Sequence, residues 1–464
     1  MFILDHNDPC PLYEQLYKQI KAHVLSGKMP AHAKLPSVRN LAAELSTCRN
    51  TVEGAYQDLY AEGYVYSKQR SGYFVSALDH AAAPLSPNRE PRKQSLPLQP
   101  PPSFRYDFHP ARLDPAGFPS ALWRSCFLEC LHESSREFSQ YGDPQGDWGF
   151  RSNIQQYLER SRGVVCEPDQ IVICAGLQYG LDLVAHLLRE SHSTMAIENP
   201  GYHLPRAVFR NNRFNVVPVA VAPGGIDVET LRASGSTIAY VTPSHQLPMG
   251  YVMPVANRLN LIEWAESGGN VIIEDDYDSE LRYHGKPIPS LQGLRPDGNI
   301  IYMGTFSKIL SPALRLSYMV LPRSLLAGFR AFYHDYFSTV SLMEQKTMSR
   351  FMELGYWERH VRRMRITYQK KHDVMLKAIE QHLGDKATVV GQGAGLHVVV
   401  QLQDAHLDDA EMLRLAAQKG INLVPFSTTC ATGAPAKTSL LLGFGGMSAA
   451  EIGQGIETLS RIFD

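Results

Sequence analysis

Near the start of the chain apolar residues recur at four-residue steps. Leu12, Leu16, Ile20 and Val24 form one stripe of an amphipathic helix. Val38, Leu41, Ala42 and Leu45 form a second, shorter stripe behind Pro36-Ser37, where Ser37 suits an N-cap. Val52, Ala55, Tyr56 and Leu59 form a third, closed by Gly63. Only Ser46 to Arg49 separate the second and third helices, a connection tight enough for a helix-turn-helix. Tyr64-Val65-Tyr66 and Tyr73-Phe74-Val75 then predict two strands, and Lys68 to Gly72 a turn with a basic tip. Residues 1–76 are therefore expected to form a small winged helix-turn-helix domain.

Residues 77–104 carry no apolar period. Pro84, Pro87, Pro91, Pro97 and Pro100 to Pro102 alternate with Ser, Gln and charges, the composition of an extended linker. From 105 to 464 short β-rich runs alternate with helical patterns. The strand candidates are Gln170 to Cys174, Thr194 to Ile197, Ile238 to Val241, Val271 to Ile273, Ile300 to Met303 and Leu316 to Leu321. Helices such as Leu177 to Leu188 and Arg258 to Ala265 fall between them. This alternation predicts an α/β domain: an open, mostly parallel sheet with helices on both faces. From about residue 350, long helices and the runs His397 to Gln401, Ile421 to Val424 and Ser439 to Leu442 predict a smaller α+β subdomain.

Bulk properties change this picture little. The chain has 464 residues, more than one core usually supports, and a net charge of −1, which points to no particular partner. The seven cysteines, at 10, 48, 126, 130, 166, 174 and 430, have no spacing that suits zinc and read as reduced thiols; no metal site is expected. The N-terminus lacks the charged and apolar regions of a secretory signal, and no apolar run is long enough to span a membrane. A cytoplasmic protein is expected, associated with the nucleoid when on DNA.

In a helix-turn-helix the second helix enters the major groove by its N-terminal end. Here that end reads Thr47-Cys48-Arg49-Asn50-Thr51. Arg49 suits guanine and Asn50 adenine. Arg39 before it, and Lys68, Gln69 and Arg70 in the wing, suit phosphates or the minor groove. A small helical domain for protein contacts fits the residues too, since residues 1–76 hold eight Lys and Arg against seven Asp and Glu. The run Leu35 to Ala42, then Arg49 to Val52, Ala55-Tyr56, Glu62-Gly63 and Ser71 to Val75, resembles the GntR-type winged helix-turn-helix. That resemblance implies double-stranded DNA as partner and contacts from Arg39, Arg49, Thr51 and Gly72, with Ser37, Asn50, Lys68 and Arg70 beside them. Cys48 stands where that family more often has Ser or Thr.

Four segments of the large domain carry chemistry, each following a predicted strand. In Gly304-Thr305-Phe306-Ser307-Lys308, followed by Arg315, Lys308 suits an imine with an aldehyde cofactor, and Thr305, Ser307 and Arg315 suit its phosphate. A solvated surface lysine is the plainer alternative. Glu274-Asp275-Asp276-Tyr277 offers three carboxylates that suit Mg²⁺, or one carboxylate, Asp275, for a protonated ring nitrogen with Tyr277 on a ring hydroxyl. Cys174 to Gln178 is a strand-to-helix turn in which Gly176 permits close backbone approach and the start of the helix at Leu177 favours phosphate. Glu198 to His203 places Tyr202 for stacking on a ring or for the core.

In order and spacing these segments resemble fold-type I aminotransferases, and the fusion resembles the MocR group, which joins a GntR-type reader to such a domain. Tyr141-Gly142-Asp143-Pro144, Thr242 to Gln246 and Gly395-Leu396-His397 extend the match. The resemblance implies pyridoxal 5'-phosphate as cofactor and Lys308 as its Schiff-base lysine. It implies Asp275 at the ring nitrogen, Tyr277 at the ring hydroxyl and Tyr202 stacked on the ring. Gln178, Ser307 and Arg315 fall on the phosphate side. It also implies a homodimer on paired DNA half-sites, with Tyr141 reaching the partner's phosphate site. Two positions depart from the active enzymes. Leu247 precedes Pro248 where they carry Asn, and Ser439 to Phe444 holds no carboxylate-binding Arg. Arg206, close behind Tyr202, is expected to bind an acidic effector instead. The expected function is a transcription regulator that senses pyridoxal phosphate, a small amino compound, or both. A working aminotransferase with an accessory DNA-binding module and a DNA-binding protein with a large assembly scaffold are the alternatives.

Overall fold

The computed structural model describes residues 2–6, 8–78, 103–134, 136–283, 285, 288–391, 393–403, 407–433 and 438–463. The chain divides into two compact units, Met1–Pro101 and Pro102–Asp464. Most of the expected linker, residues 79–102, lies outside the described residues.

The small unit contains three helices, Leu12–Leu25, Val38–Glu44 and Arg49–Ala61, and a hairpin of Val65–Lys68 and Gly72–Val75. Its core is the three predicted stripes: Leu16, Ile20, Leu41, Val52, Tyr56 and Leu59 are all buried. The Tyr56 hydroxyl donates to the Pro36 carbonyl at 3.0 Å, tying the third helix to the segment before the second. Ser37 caps the second helix by accepting from the Asn40 amide at 3.1 Å. The hairpin closes through Arg70 at φ 58° and Gly72 at φ 98°.

The large unit is built on an eight-stranded sheet. Its order is Ile171–Cys174, Ser317–Val320, Ile300–Thr305, Val271–Asp276, Ile238–Val241, Thr194–Asn199, Asn215–Ala222, Gly225–Ile226. Five neighbouring strands, Ile300–Thr305 through Asn215–Ala222, run parallel. Ser317–Val320 runs antiparallel to both its neighbours. The reason is local: parallel strands need a long crossover, and only residues 306–316 separate Thr305 from Ser317. Asn215–Ala222 escapes sequence reasoning because Pro218 argues against a strand. It is tolerated near the sheet edge, where only the two residues Gly225–Ile226 lie beyond.

The C-terminal subdomain packs Leu342–Glu353, Tyr356–Leu383 and Ala449–Ser460 with a four-stranded sheet ordered Ala387–Val390, His397–Leu402, Ser439–Gly443, Val424–Pro425. The single strand expected over Ile421 to Val424 is split. Ile421–Asn422 pairs parallel with Tyr106–Asp107, and Val424–Pro425 pairs antiparallel with Ser439–Gly443. Pro425 has no amide hydrogen to extend a ladder, so the second piece stops at two residues.

Candidate functional site

A cavity of about 430 Å³ opens at the carboxyl ends of the central parallel strands, where open α/β sheets hold ligands. Tyr202, Asp275, Tyr277 and Lys308 line it. So do Leu177, Gln178, Thr305, Ser307 and Arg315. Segments from four strand ends therefore converge on one space, as the sequence predicts.

Strand alternation decides which carboxylate faces the cavity. Glu274 turns away and accepts from the backbone amides of Leu291 and Gln292 at 2.8 and 3.0 Å. Asp276 accepts from Arg162 and from the Tyr302 hydroxyl, each at 2.6 Å, in a buried ion pair. Asp275, between them, points to the cavity and accepts a hydrogen bond from Tyr240. The three oxygen sets diverge, so this run does not form the Mg²⁺ cage that spacing alone permits. Burial pushes the Asp275 carboxyl up to about 7, opposed by the Tyr240 hydrogen bond and the nearby Lys308 charge.

Lys308 sits in the 306–316 connection, with its Nζ 5.9 Å from the centre of the Tyr277 ring. Burial holds its ammonium below the usual lysine range, and Asp278 and Asp275 pull it partly back. At the other end of the same connection Arg315 adopts φ 53°, which turns its guanidinium over Gly176. Gly176, at φ 85°, caps the helix Leu177–Leu188; a Cβ there would run into that guanidinium. Helix amides, Gln178, two hydroxyls and a guanidinium thus gather at one end of the cavity, a donor set that fits a phosphate. The cavity is long enough in chemistry, from this cradle through Lys308 to Asp275, for a phosphorylated pyridine.

Several residues behave otherwise than expected or were not foreseen. Arg206 does not line the cavity. Its guanidinium donates to the carbonyls of Cys430 at 2.8 Å and Thr428 at 3.3 Å, which ties it to residues 428–430. Tyr141 also lies elsewhere, 82 % exposed and stacked on Phe337 at 4.2 Å. Unforeseen are Tyr240, the His245–Asp278 pair at 2.8 Å, and His397, which lines the cavity. The signal available was a polar atom in an otherwise apolar run, as with Tyr240 in Ile238–Val241. The departures from active aminotransferases bear on the cavity: Leu247 lines it, and so does Leu441 from the arginine-free stretch Ser439 to Phe444.

In the small unit Arg39, Arg49 and Asn50 are exposed, Thr51 is half-buried, and Lys68, Arg70 and Gly72 are exposed on the hairpin. Cys48 precedes the third helix and pairs its Sγ with the Thr51 hydroxyl at 3.0 Å. Among the described residues no helix is long and apolar enough to cross a membrane.

Aminotransferase class I and II matches residues 114–459, and the bacterial regulatory proteins of the gntR family match residues 12–75. The HTH-type transcriptional regulator YdeL of Bacillus subtilis (strain 168) is 38% identical over 97% of this chain and 96% of its own length. The probable rhizopine catabolism regulatory protein MocR of Rhizobium meliloti is 32% identical over 100% of this chain and 96% of its own. Among solved structures, the kynurenine aminotransferase of Pyrococcus horikoshii superposes with a TM-score of 0.70 at 26% identity, covering 78% of this chain and 90% of that one. Fold and site therefore define a DNA-binding reader joined to a pyridoxal-phosphate-dependent, aminotransferase-like domain. The chain belongs to the MocR-type transcriptional regulators, within the aminotransferase class I and II family.

Proposed function

We propose that this regulator senses pyridoxal phosphate, a small amino compound, or both at Lys308, and reads paired half-sites on double-stranded DNA as a homodimer. When bound, pyridoxal phosphate supplies an aldehyde open to amines and an electron-withdrawing ring. Arg315, Thr305, Ser307 and Gln178 hold its phosphate, with the backbone at Gly176 and Leu177. Asp275, fixed by Tyr240, balances charge at the ring nitrogen, and Tyr277 bonds the ring hydroxyl. Tyr202 covers the ring. Lys308 provides an amine whose depressed basicity keeps its lone pair available. Tyr141 reaches the partner's phosphate site, which accounts for an aromatic ring left this exposed. In the reader, Arg49, Asn50 and Thr51 contact bases, and Ser37, Arg39, Lys68, Arg70 and Gly72 contact the backbone or minor groove. Residues 77–104 link the two units. The DNA target puts the protein in the cytoplasm.

The observation that carries this reading is the meeting of Lys308, Asp275 and Arg315 in one cavity. The test is the absorption spectrum of purified protein supplied with pyridoxal phosphate. A near-visible band is expected, lost in Lys308→Ala; no band in the wild type refutes the reading. Sustained turnover with amino donors and keto acids would instead identify a working aminotransferase.

A further inference from the structure

The far wall of the cavity indicates what kind of effector it takes, granting the reading above that the effector is an amine. Among the described lining residues the Lys and Arg side chains are Lys308, the amine assigned above to the cofactor, and Arg315, which belongs to the cradle at Gly176. Leu441 occupies the strand that carries a carboxylate-binding arginine in active aminotransferases. It is 4 % exposed and packs with Met249, Val399 and Phe426. Leu247 presents a second apolar surface. A carboxylate brought against these two side chains would lose its water without gaining a partner.

Several polar groups share the lining: Thr428 and Thr429 donate their hydroxyls to the Pro425 and Phe426 carbonyls, His109, His203 and Thr242 also line the cavity, and His397 is the histidine whose hydrogen-bond roles are fixed by a carbonyl partner. His397, on the strand His397–Leu402, places Nε2 3.0 Å from the Pro248 carbonyl oxygen. A carbonyl only accepts, so Nε2 carries the hydrogen and, in the neutral ring, Nδ1 is a lone-pair acceptor. Among the described residues nothing donates to that Nδ1. Burial, then the neighbouring His245, holds the imidazolium form down to about 3, so the ring stays neutral. His397 therefore offers an acceptor and no charge.

We propose that the effector is a primary amine that carries no carboxylate on its amine-bearing carbon and donates a hydroxyl or N–H hydrogen to Nδ1 of His397. Amino alcohols are the simplest members of this class. Arg206 is not among the lining residues, and its guanidinium donates to the Thr428 and Cys430 carbonyls.

The experiment uses full-length protein loaded with pyridoxal phosphate. It is titrated with amino alcohols, amino acids and plain alkylamines matched in carbon skeleton, read by the cofactor's absorbance and by calorimetry. The best amino alcohol should bind about tenfold or more tighter than its matching amino acid, which meets the unpaired wall. It should bind about fivefold tighter than its alkylamine, which lacks the donor. His397→Phe should abolish the preference over the alkylamine while leaving alkylamine affinity unchanged, and His397→Gln, which keeps an acceptor, should restore part of it. Leu441→Arg should tighten the amino acid about tenfold by supplying a bidentate partner. Amino acids binding the wild type as tightly as amino alcohols, or His397→Phe weakening alcohol and alkylamine equally, overturns the proposal. Those results fall on protein that shows its cofactor band, whereas loss of the band itself refutes the cofactor reading beneath it.

Discussion

Gly176 shows how much chemistry rests on a single missing atom. Its positive φ and the guanidinium of Arg315 leave no room for a Cβ. Gly176→Ala should weaken pyridoxal phosphate binding by about tenfold or more, the backbone strain alone costing about 1–3 kcal/mol at φ 85° and ψ 163°. Equilibrium titration of the cofactor band measures it. A second residue-scale effect concerns protons. Glu198, Glu274, Asp275 and Glu280 are each pushed up by burial to about 7. A carboxyl raised on folding holds its proton more tightly in the native state, so its contribution is complete below the unfolded value and is lost as pH rises through about 7. Cofactor-free protein should therefore melt lower at about pH 8 than at about pH 5. Pyridoxal phosphate should recover more Tm at the higher pH, because only then is the Asp275 carboxylate charged for a protonated ring. Paired thermal melts with and without cofactor check both signs. The meeting of Lys308, Asp275, Tyr277 and Arg315 in one cavity was legible in the sequence because each lies at a strand end or in the connection between two strands and each has a distinct chemical use. Tyr240 and His397 were not, because their roles arise from which strand lies beside which. The Arg206 bonds were illegible for the same reason: closeness to Tyr202 in sequence says nothing about the carbonyls of Cys430 and Thr428 to which its guanidinium donates.

At the scale of elements, the reader was the most legible part. Its stripes at Leu12 to Val24, Val38 to Leu45 and Val52 to Leu59 became helices with the expected faces buried, since a three-helix core is set by local periodicity. The exposed start of the third helix and the hairpin separate two kinds of contact. Arg49→Ala should cost about 1–3 kcal/mol at one base position and relax specificity there. Arg70→Ala should weaken all sequences alike and reduce the slope of log affinity against log salt by about one. Binding isotherms at several salt concentrations on operator and unrelated DNA distinguish them. In the large unit, strand existence was legible and strand direction was not. Direction follows from the length of the connection, and the eleven-residue return that carries both Lys308 and Arg315 is too short for the crossover that parallel pairing demands.

At the scale of the whole molecule, two units with different cores were foreshadowed by the change of period and by the proline-rich stretch between them. The division of residues 421–425 between two sheets was not, and it has a mechanical corollary. Val424 lines the cavity, while two residues earlier Asn422 receives the Phe108 amide at 3.0 Å, and Gly420 receives those of Arg105 and Tyr106 at 2.8 and 3.1 Å. The place where the polypeptide arrives from the proline-rich stretch is thus latched to the back of the same short segment whose front lines the cavity. Occupancy of the cavity should register as altered deuterium uptake at the amides of Arg105, Tyr106 and Phe108, well away from Lys308 in sequence. A peptide covering 105–108 that exchanges identically with and without ligand would mean the latch carries no message outward along the chain.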